Sequence, residues 1–75
     1  MDDKYFIELG EYLKSARLRK GYTLLDVAER IGVTKTSILF YETGQRKPNL
    51  PTIQTLCGIY DIDINELIKY MTKFL

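Results

Sequence analysis

Histidine and tryptophan are absent from this 75-residue chain, and cysteine occurs once, as Cys57. The missing histidine excludes Ser-His-Asp and Cys-His catalytic pairs and every zinc site built on an imidazole. A lone cysteine closes no intrachain disulfide, so the chain does not read as a stapled secreted scaffold. Long apolar runs are missing as well. The longest stretch without a charge, residues 48–60, spans 13 positions and contains Pro48, Pro51 and Gly58. A membrane-spanning helix needs roughly 18 or more apolar residues. The opening Met1-Asp2-Asp3-Lys4 is acidic where a secretory leader is basic. The expectation is a soluble cytoplasmic protein, residues 1–75 forming one domain, with no membrane partner. Its scattered acids meet no base, nucleophile or glycine-rich phosphate loop. An enzyme is therefore not expected, and neither is a catalytic residue, a cofactor or a metal.

What is present is the composition of a folded domain, 45% hydrophobic and 28% charged. A core of this size supplies only about 3–5 kcal/mol, and without metal or disulfide an oligomer is a reasonable expectation. The net charge of +1 conceals an uneven distribution. Residues 14–47 carry eight basic side chains against Asp26, Glu29 and Glu42, a local charge of +5, while the remainder carries −4. A basic middle between acidic ends is a pattern that can face a polyanion on one side, although short segments also show such imbalance by chance.

Helical periodicity and helix punctuation dominate, with no repeat, linker or low-complexity tract. The first helix is expected from about Tyr5 to Lys20, with Phe6, Leu9, Leu13 and Ala16 inward and Gly21 as its left-handed stop. Thr23 is a natural N-cap for a second helix, Leu24 to Ile31, and Asp26 completes a capping box. Val27, Ala28 and Ile31 form its buried stripe, and Gly32 ends it. Thr34 caps a third helix from Lys35 to about Thr43, closed by Gly44, and Pro48 prevents its continuation. Asn49 caps a fourth, with Ile53, Leu56, Cys57 and Tyr60 inward and Cys57 a small buried apolar residue. Asp63-Ile64-Asn65-Glu66 reads as another capping box and opens a fifth helix that runs to the end. Five helices leave no room for a sheet.

Two short helices joined by a tight glycine turn form a helix-turn-helix unit, here at about residues 23–43. Ala28 is expected to let the pair cross closely, Gly32 to supply the turn, and Val33 and Ile38 to lock the pair to the core. With these features the sequence resembles the phage-repressor or Cro-type helix-turn-helix family, also called the xenobiotic-response-element type. The resemblance covers about residues 9–68. It rests on Leu9-Gly10-Glu11, Leu13, Arg17, Gly21, Val27-Ala28, Ile31-Gly32-Val33-Thr34, Ile38, Glu42, Gly44, Arg46-Lys47-Pro48, Ile53, Leu56, Ile62 and Glu66-Leu67. It implies a compact all-α, five-helix lambda-repressor-like domain that binds operator DNA, usually as a homodimer.

On that reading, helix three turns Ile38 and Tyr41 inward and presents Lys35, Thr36, Leu39, Phe40 and Thr43 on the opposite face. Lys35, Thr36, Ser37, Leu39 and Phe40 are the expected base readers. Lys35 suits guanine, Thr36 suits either partner or a thymine methyl, and Ser37 stands at the edge of the face. Thr23, Thr34, Thr43, Arg46 and Lys47 are expected to meet phosphates. Arg19 and Lys20 are weaker candidates for that role. Arg17 and Glu42 match the family's internal ion pair between helices one and three. Two positions depart from the family pattern. Leu24 stands where members often carry Gln, and Leu39 and Phe40 stand where polar residues are usual. The two apolar groups leave three readings open: contact with thymine methyls, a protein-binding patch, or a register in which one of them packs inside.

The last helix, about residues 64–75, carries more apolar surface than one small core absorbs. Leu67 belongs to the core, and Ile64, Ile68, Met71 and Phe74 form the candidate homodimer surface. The alternative is a helix folded back over its own monomer. The expected function is a repressor-like transcriptional regulator that binds double-stranded operator DNA as a homodimer, with half-sites about one helical turn apart. The chain is too short for a sensor domain, and no small-molecule effector is expected. The alternative is a protein-interaction module that keeps the helix-turn-helix fold and binds another regulator through the apolar face of helix three.

Overall fold

Short local signals set almost every helix boundary in the computed structural model, which describes residues 3–67. Helix α1 (Asp3–Arg19) starts two residues earlier than the sequence suggests and ends one earlier. Gly21 follows in the left-handed conformation, φ 76°, which only a residue without a Cβ adopts at little cost. Helix α2 (Leu24–Ile31) is capped reciprocally. The Asp26 backbone N–H donates to the Thr23 hydroxyl at 3.0 Å, and the Thr23 N–H donates to the Asp26 carboxylate at 2.8 Å. These bonds satisfy donors that a helix start otherwise leaves to water. They also hold the Asp26 carboxyl below its usual range, the backbone N–H of Thr23 being the main cause.

Gly32, at φ 77°, ends α2 and sends its N–H back to the Ala28 carbonyl. Two residues later the Thr34 side chain accepts from the Ser37 N–H and starts α3 (Lys35–Thr43), which Gly44 closes. Asn49 caps α4 (Leu50–Tyr60), with Pro51 in the first turn, where its missing N–H costs nothing. Asp61 ends α4 in a left-handed conformation, φ 56°. Residues 64–67 are again helical and close the described part of the chain. Asp63 opens this segment with its carboxylate accepting from the Asn65 N–H at 2.9 Å. The Glu66 N–H, which a capping box would send to that carboxylate, donates to the Asp63 carbonyl at 3.0 Å.

These elements wrap one core. Leu9, Leu13 and Ala16 of α1 meet Val27 and Ala28 of α2, Ile38 of α3, and Ile53, Leu56, Cys57 and Tyr60 of α4, with Leu67 beneath. Burial pushes the Cys57 thiol up from its ordinary value, as suits a small apolar residue. The closest approach lies between α1 and α3. A Cβ added to Gly10 would stand 2.4 Å from the Glu42 carbonyl oxygen and 2.5 Å from that of Tyr41. Only glycine lets α3 lie this tightly on α1. At the other end, Lys20 after α1 pairs with Asp61 after α4, so Lys20 has a protein partner. No strand occurs among the described residues, and none of their helices is long and apolar enough to cross a membrane.

Candidate nucleic-acid interface

Helix α3 buries Ser37, Ile38 and Glu42, with Ile38 in the core and Glu42 paired to Arg17 of α1. The remaining arc carries Lys35, Thr36, Leu39 and Thr43, all exposed. Their spacing of i, i+1, i+4 and i+8 makes one stripe along the helix. Leu39 is 42% exposed, a large apolar group in solvent between a cationic and a hydroxyl neighbour. The stripe is short, outward and held from behind.

What holds it is a buried ion pair. Arg17 Nε donates to Glu42 Oε2 at 2.7 Å and Nη2 donates to Oε1 at 3.0 Å. The third arm, Nη1, donates to the Tyr22 carbonyl at 2.8 Å. One guanidinium thus ties α1, the turn before α2 and the far half of α3 into a single unit. The bond from Glu42 raises the Arg17 pKa further, against the opposing effect of burial. Arg30 adds a second tie to this turn, its guanidinium 4.5 Å from the Tyr22 ring centre.

The expected base readers separate into two groups. Lys35, Thr36 and Leu39 stand on the stripe. Phe40 is half-buried, and the Arg46 guanidinium lies over its ring at 5.3 Å. Ser37 is buried behind the stripe, and its hydroxyl accepts from Arg46 Nη1 at 2.8 Å. The placement of Ser37 differs from the edge position anticipated from sequence, because Arg46, returning from the Gly44 cap, and Thr34 both engage its hydroxyl.

The expected phosphate contacts ring the stripe. Thr23 and Thr34 are the N-caps of α2 and α3, each already accepting one backbone N–H. Thr43 donates to the Leu39 carbonyl at 3.0 Å and accepts from Gln45. Lys47 extends over the Phe6 ring, 5.0 Å from its centre, so its charge is fixed to α1 while its residue stays exposed. Leu24, at the position where family members often carry Gln, lines an open groove with Leu18, Tyr22, Leu25 and Lys35. Leu18 and Leu25 are 57% and 52% exposed, an apolar pair that the sequence reading did not single out. Of the candidate dimer surface, Ile64 packs partly against the core. Ile68, Met71 and Phe74 lie outside the described residues. No cluster of acidic or cysteine side chains among the described residues is grouped to hold a metal ion.

The sequence pattern of a helix-turn-helix family matches residues 13–67 of the chain. The uncharacterised HTH-type transcriptional regulator YqaE of Bacillus subtilis (strain 168) is 32% identical over 59 residues, 79% of this chain and 51% of that protein. The SPbeta prophage-derived uncharacterised HTH-type transcriptional regulator YonR of the same organism is 35% identical over 60 residues, 80% of this chain and 56% of that protein. The cryptic phage CTXphi transcriptional repressor RstR of Vibrio cholerae is 34% identical over 57 residues, 76% of this chain and 51% of that protein. The chain spans about half the length of these relatives. By name they are transcriptional regulators, not enzymes.

Proposed function

The chain belongs to the helix-turn-helix family, and on that premise we propose that it is a DNA-binding transcriptional regulator of the repressor-like kind. It acts in the cytoplasm and binds a pseudo-palindromic operator as a homodimer, with α3 of each copy in the major groove. The observation that carries the reading is the exposed stripe of Lys35, Thr36 and Leu39 on a helix clamped from behind by Arg17 and Glu42. A recognition helix must present a few side chains to base edges without moving, and this one is held by a fork of charged hydrogen bonds. Lys35 meets guanine, Thr36 a base edge, and Leu39 a thymine methyl. Thr23, Thr34, Thr43, Arg46 and Lys47 flank these readers and set register on the phosphates. Ile64, Ile68, Met71 and Phe74 supply the contact between copies.

The interaction-module alternative draws less support. Phe40 lies under Arg46, which leaves Leu39 as the one large apolar group on the stripe. Selection of bound duplexes from a random pool tests the reading, with affinity for the selected duplex followed across a salt series. A regulator enriches a two-fold symmetric site, and its binding constant falls with salt at a log–log slope of roughly −0.9 per phosphate neutralised. Failure to enrich any duplex at low salt would transfer the reading to a protein partner. Light scattering at micromolar concentration, where a monomeric mass counts against the homodimer, tests the assembly separately.

A further inference from the structure

We infer that Ser37 is a positioning residue for Arg46, fixing its guanidinium along α3 as a preformed contact for the nucleic-acid backbone; this rests on the DNA-binding reading above. Arg46 follows the Gly44 cap, and its backbone N–H donates to the Phe40 carbonyl at 3.2 Å, so the chain doubles back. The side chain then runs antiparallel to α3. Its guanidinium carbon lies over the Phe40 ring, 5.3 Å from the centre, and Nη1 reaches Ser37 Oγ, nine residues earlier, at 2.8 Å. A guanidinium only donates, so Ser37 Oγ is the acceptor there. The same hydroxyl shares a hydrogen bond, in either direction, with Thr34 Oγ1 at 3.0 Å, its one other side-chain partner among the described residues.

Arg46 is thus held by a plane beneath and a point at one end. An exposed arginine otherwise samples many rotamers and must be ordered each time it binds. Here that ordering is done before the ligand arrives. One of its five N–H donors is used by Ser37, and the others have no partner among the described residues. The remaining edge of the planar fork matches the two oxygens of a phosphodiester. Phe40 borders the stripe of Lys35, Thr36 and Leu39, so the guanidinium lies beside the readers rather than among them. The hydroxyl at position 37 therefore serves binding without touching a base.

The test uses Ser37→Ala, Arg46→Ala, Arg46→Lys and the Ser37→Ala/Arg46→Ala double variant of the full chain. Each is titrated against a mixed-sequence duplex and the pool-selected duplex from roughly 50 to 200 mM salt. Ser37→Ala should weaken both duplexes alike, roughly 3- to 10-fold, because a charge-assisted hydrogen bond is lost. Its salt slope should stay unchanged, since the charge remains. Arg46→Ala should flatten the slope by about 0.9. Arg46→Lys should keep the slope and lose affinity as Ser37→Ala does, which covers the case in which Ser37→Ala folds poorly. In the double variant the serine change should add nothing. Equal losses from Ser37→Ala with and without Arg46, or a loss confined to the selected duplex, would overturn the proposal. Without DNA, 15N relaxation at Arg46 Nε should report an ordered side chain that becomes mobile in Ser37→Ala. Equal mobility in both proteins overturns the positioning role alone. An ordered Arg46 in a wild-type chain that binds neither duplex means that the DNA reading fails and takes the backbone contact with it.

Discussion

Arg17 and Glu42, 25 positions apart, meet as a two-bonded ion pair in which neither side chain retains more than 8% of its exposure. The pair is the main polar link between the helix that organises the core and the helix that carries the exposed stripe. Taking two charges out of water is costly, and the pair is tolerated because every arm of the guanidinium has a partner. Removing one partner strands the other. Glu42→Ala should therefore cost about 3–5 kcal/mol, as much as a core of this size supplies in total. Urea titration at 25 °C should find that variant mostly unfolded. The paired change Arg17→Met with Glu42→Leu, which strands no charge, should cost much less than either single change.

Gly10 and Gly58 are both helical glycines, yet they should respond oppositely to alanine. A Cβ at Gly10 meets the carbonyls of Tyr41 and Glu42 at 2.4–2.5 Å, and backbone atoms do not step aside. Gly10→Ala should destabilise by at least about 1–3 kcal/mol, the usual cost of overpacking. It should also disturb α3 and with it any α3-dependent binding. Gly58 has nothing within 4 Å of the added methyl. Gly58→Ala should stabilise by about 0.4–1 kcal/mol, because it narrows the unfolded ensemble and favours the helix. Thermal unfolding followed by circular dichroism separates the two.

These contrasts mark where the sequence was legible. Thr23, Thr34 and Asn49 announce the starts of α2, α3 and α4, and Gly32 and Gly44 announce two ends, because caps act within one turn. The apolar positions Leu9, Leu13, Val27, Ile38 and Leu56 fall inward as their spacing requires. The faces of α3 were harder to read. Ile38, Leu39, Phe40 and Tyr41 are four large apolar residues in a row, so periodicity alone does not orient the helix. The Gly10 crossing settles which side lies down, and that contact joins residues more than 30 positions apart. Ser37 and Phe40 are in turn covered by Arg46. The arginine's return along α3 carries no local signature.

Tyr60 provides an alkaline signature of the core. Burial, helped by the nearby Glu42 carboxylate, pushes its hydroxyl pKa up to about 12 from an ordinary 10.0. The folded state therefore keeps this proton when the unfolded chain has begun to lose it. The corresponding stability is fully present below pH 10 and is lost as pH rises from about 10 to 12. The loss should be on the order of 2 kcal/mol. Tyr60→Phe should flatten the fall in melting temperature across that window.

Lys35 and Lys47 carry the same charge on different ground, and substitution should expose the difference. Lys35 is on the outward stripe of α3 beside Thr36, whereas Lys47 extends over Phe6 at the edge of the α1 surface. Under the proposed function the first meets a base and the second a phosphate. Lys35→Ala should cost about 1–3 kcal/mol on the selected duplex and relax the preference at one base position. Lys47→Ala should weaken selected and scrambled duplexes by the same factor and flatten the salt slope by about 0.9. Leu39→Ala should leave the slope intact and lose discrimination where the site presents a thymine methyl. Binding isotherms at several salt concentrations, followed by reselection with each variant, resolve the three. A Lys35→Ala loss equal on both duplexes would place that lysine on the backbone and leave Thr36 and Leu39 as the readers.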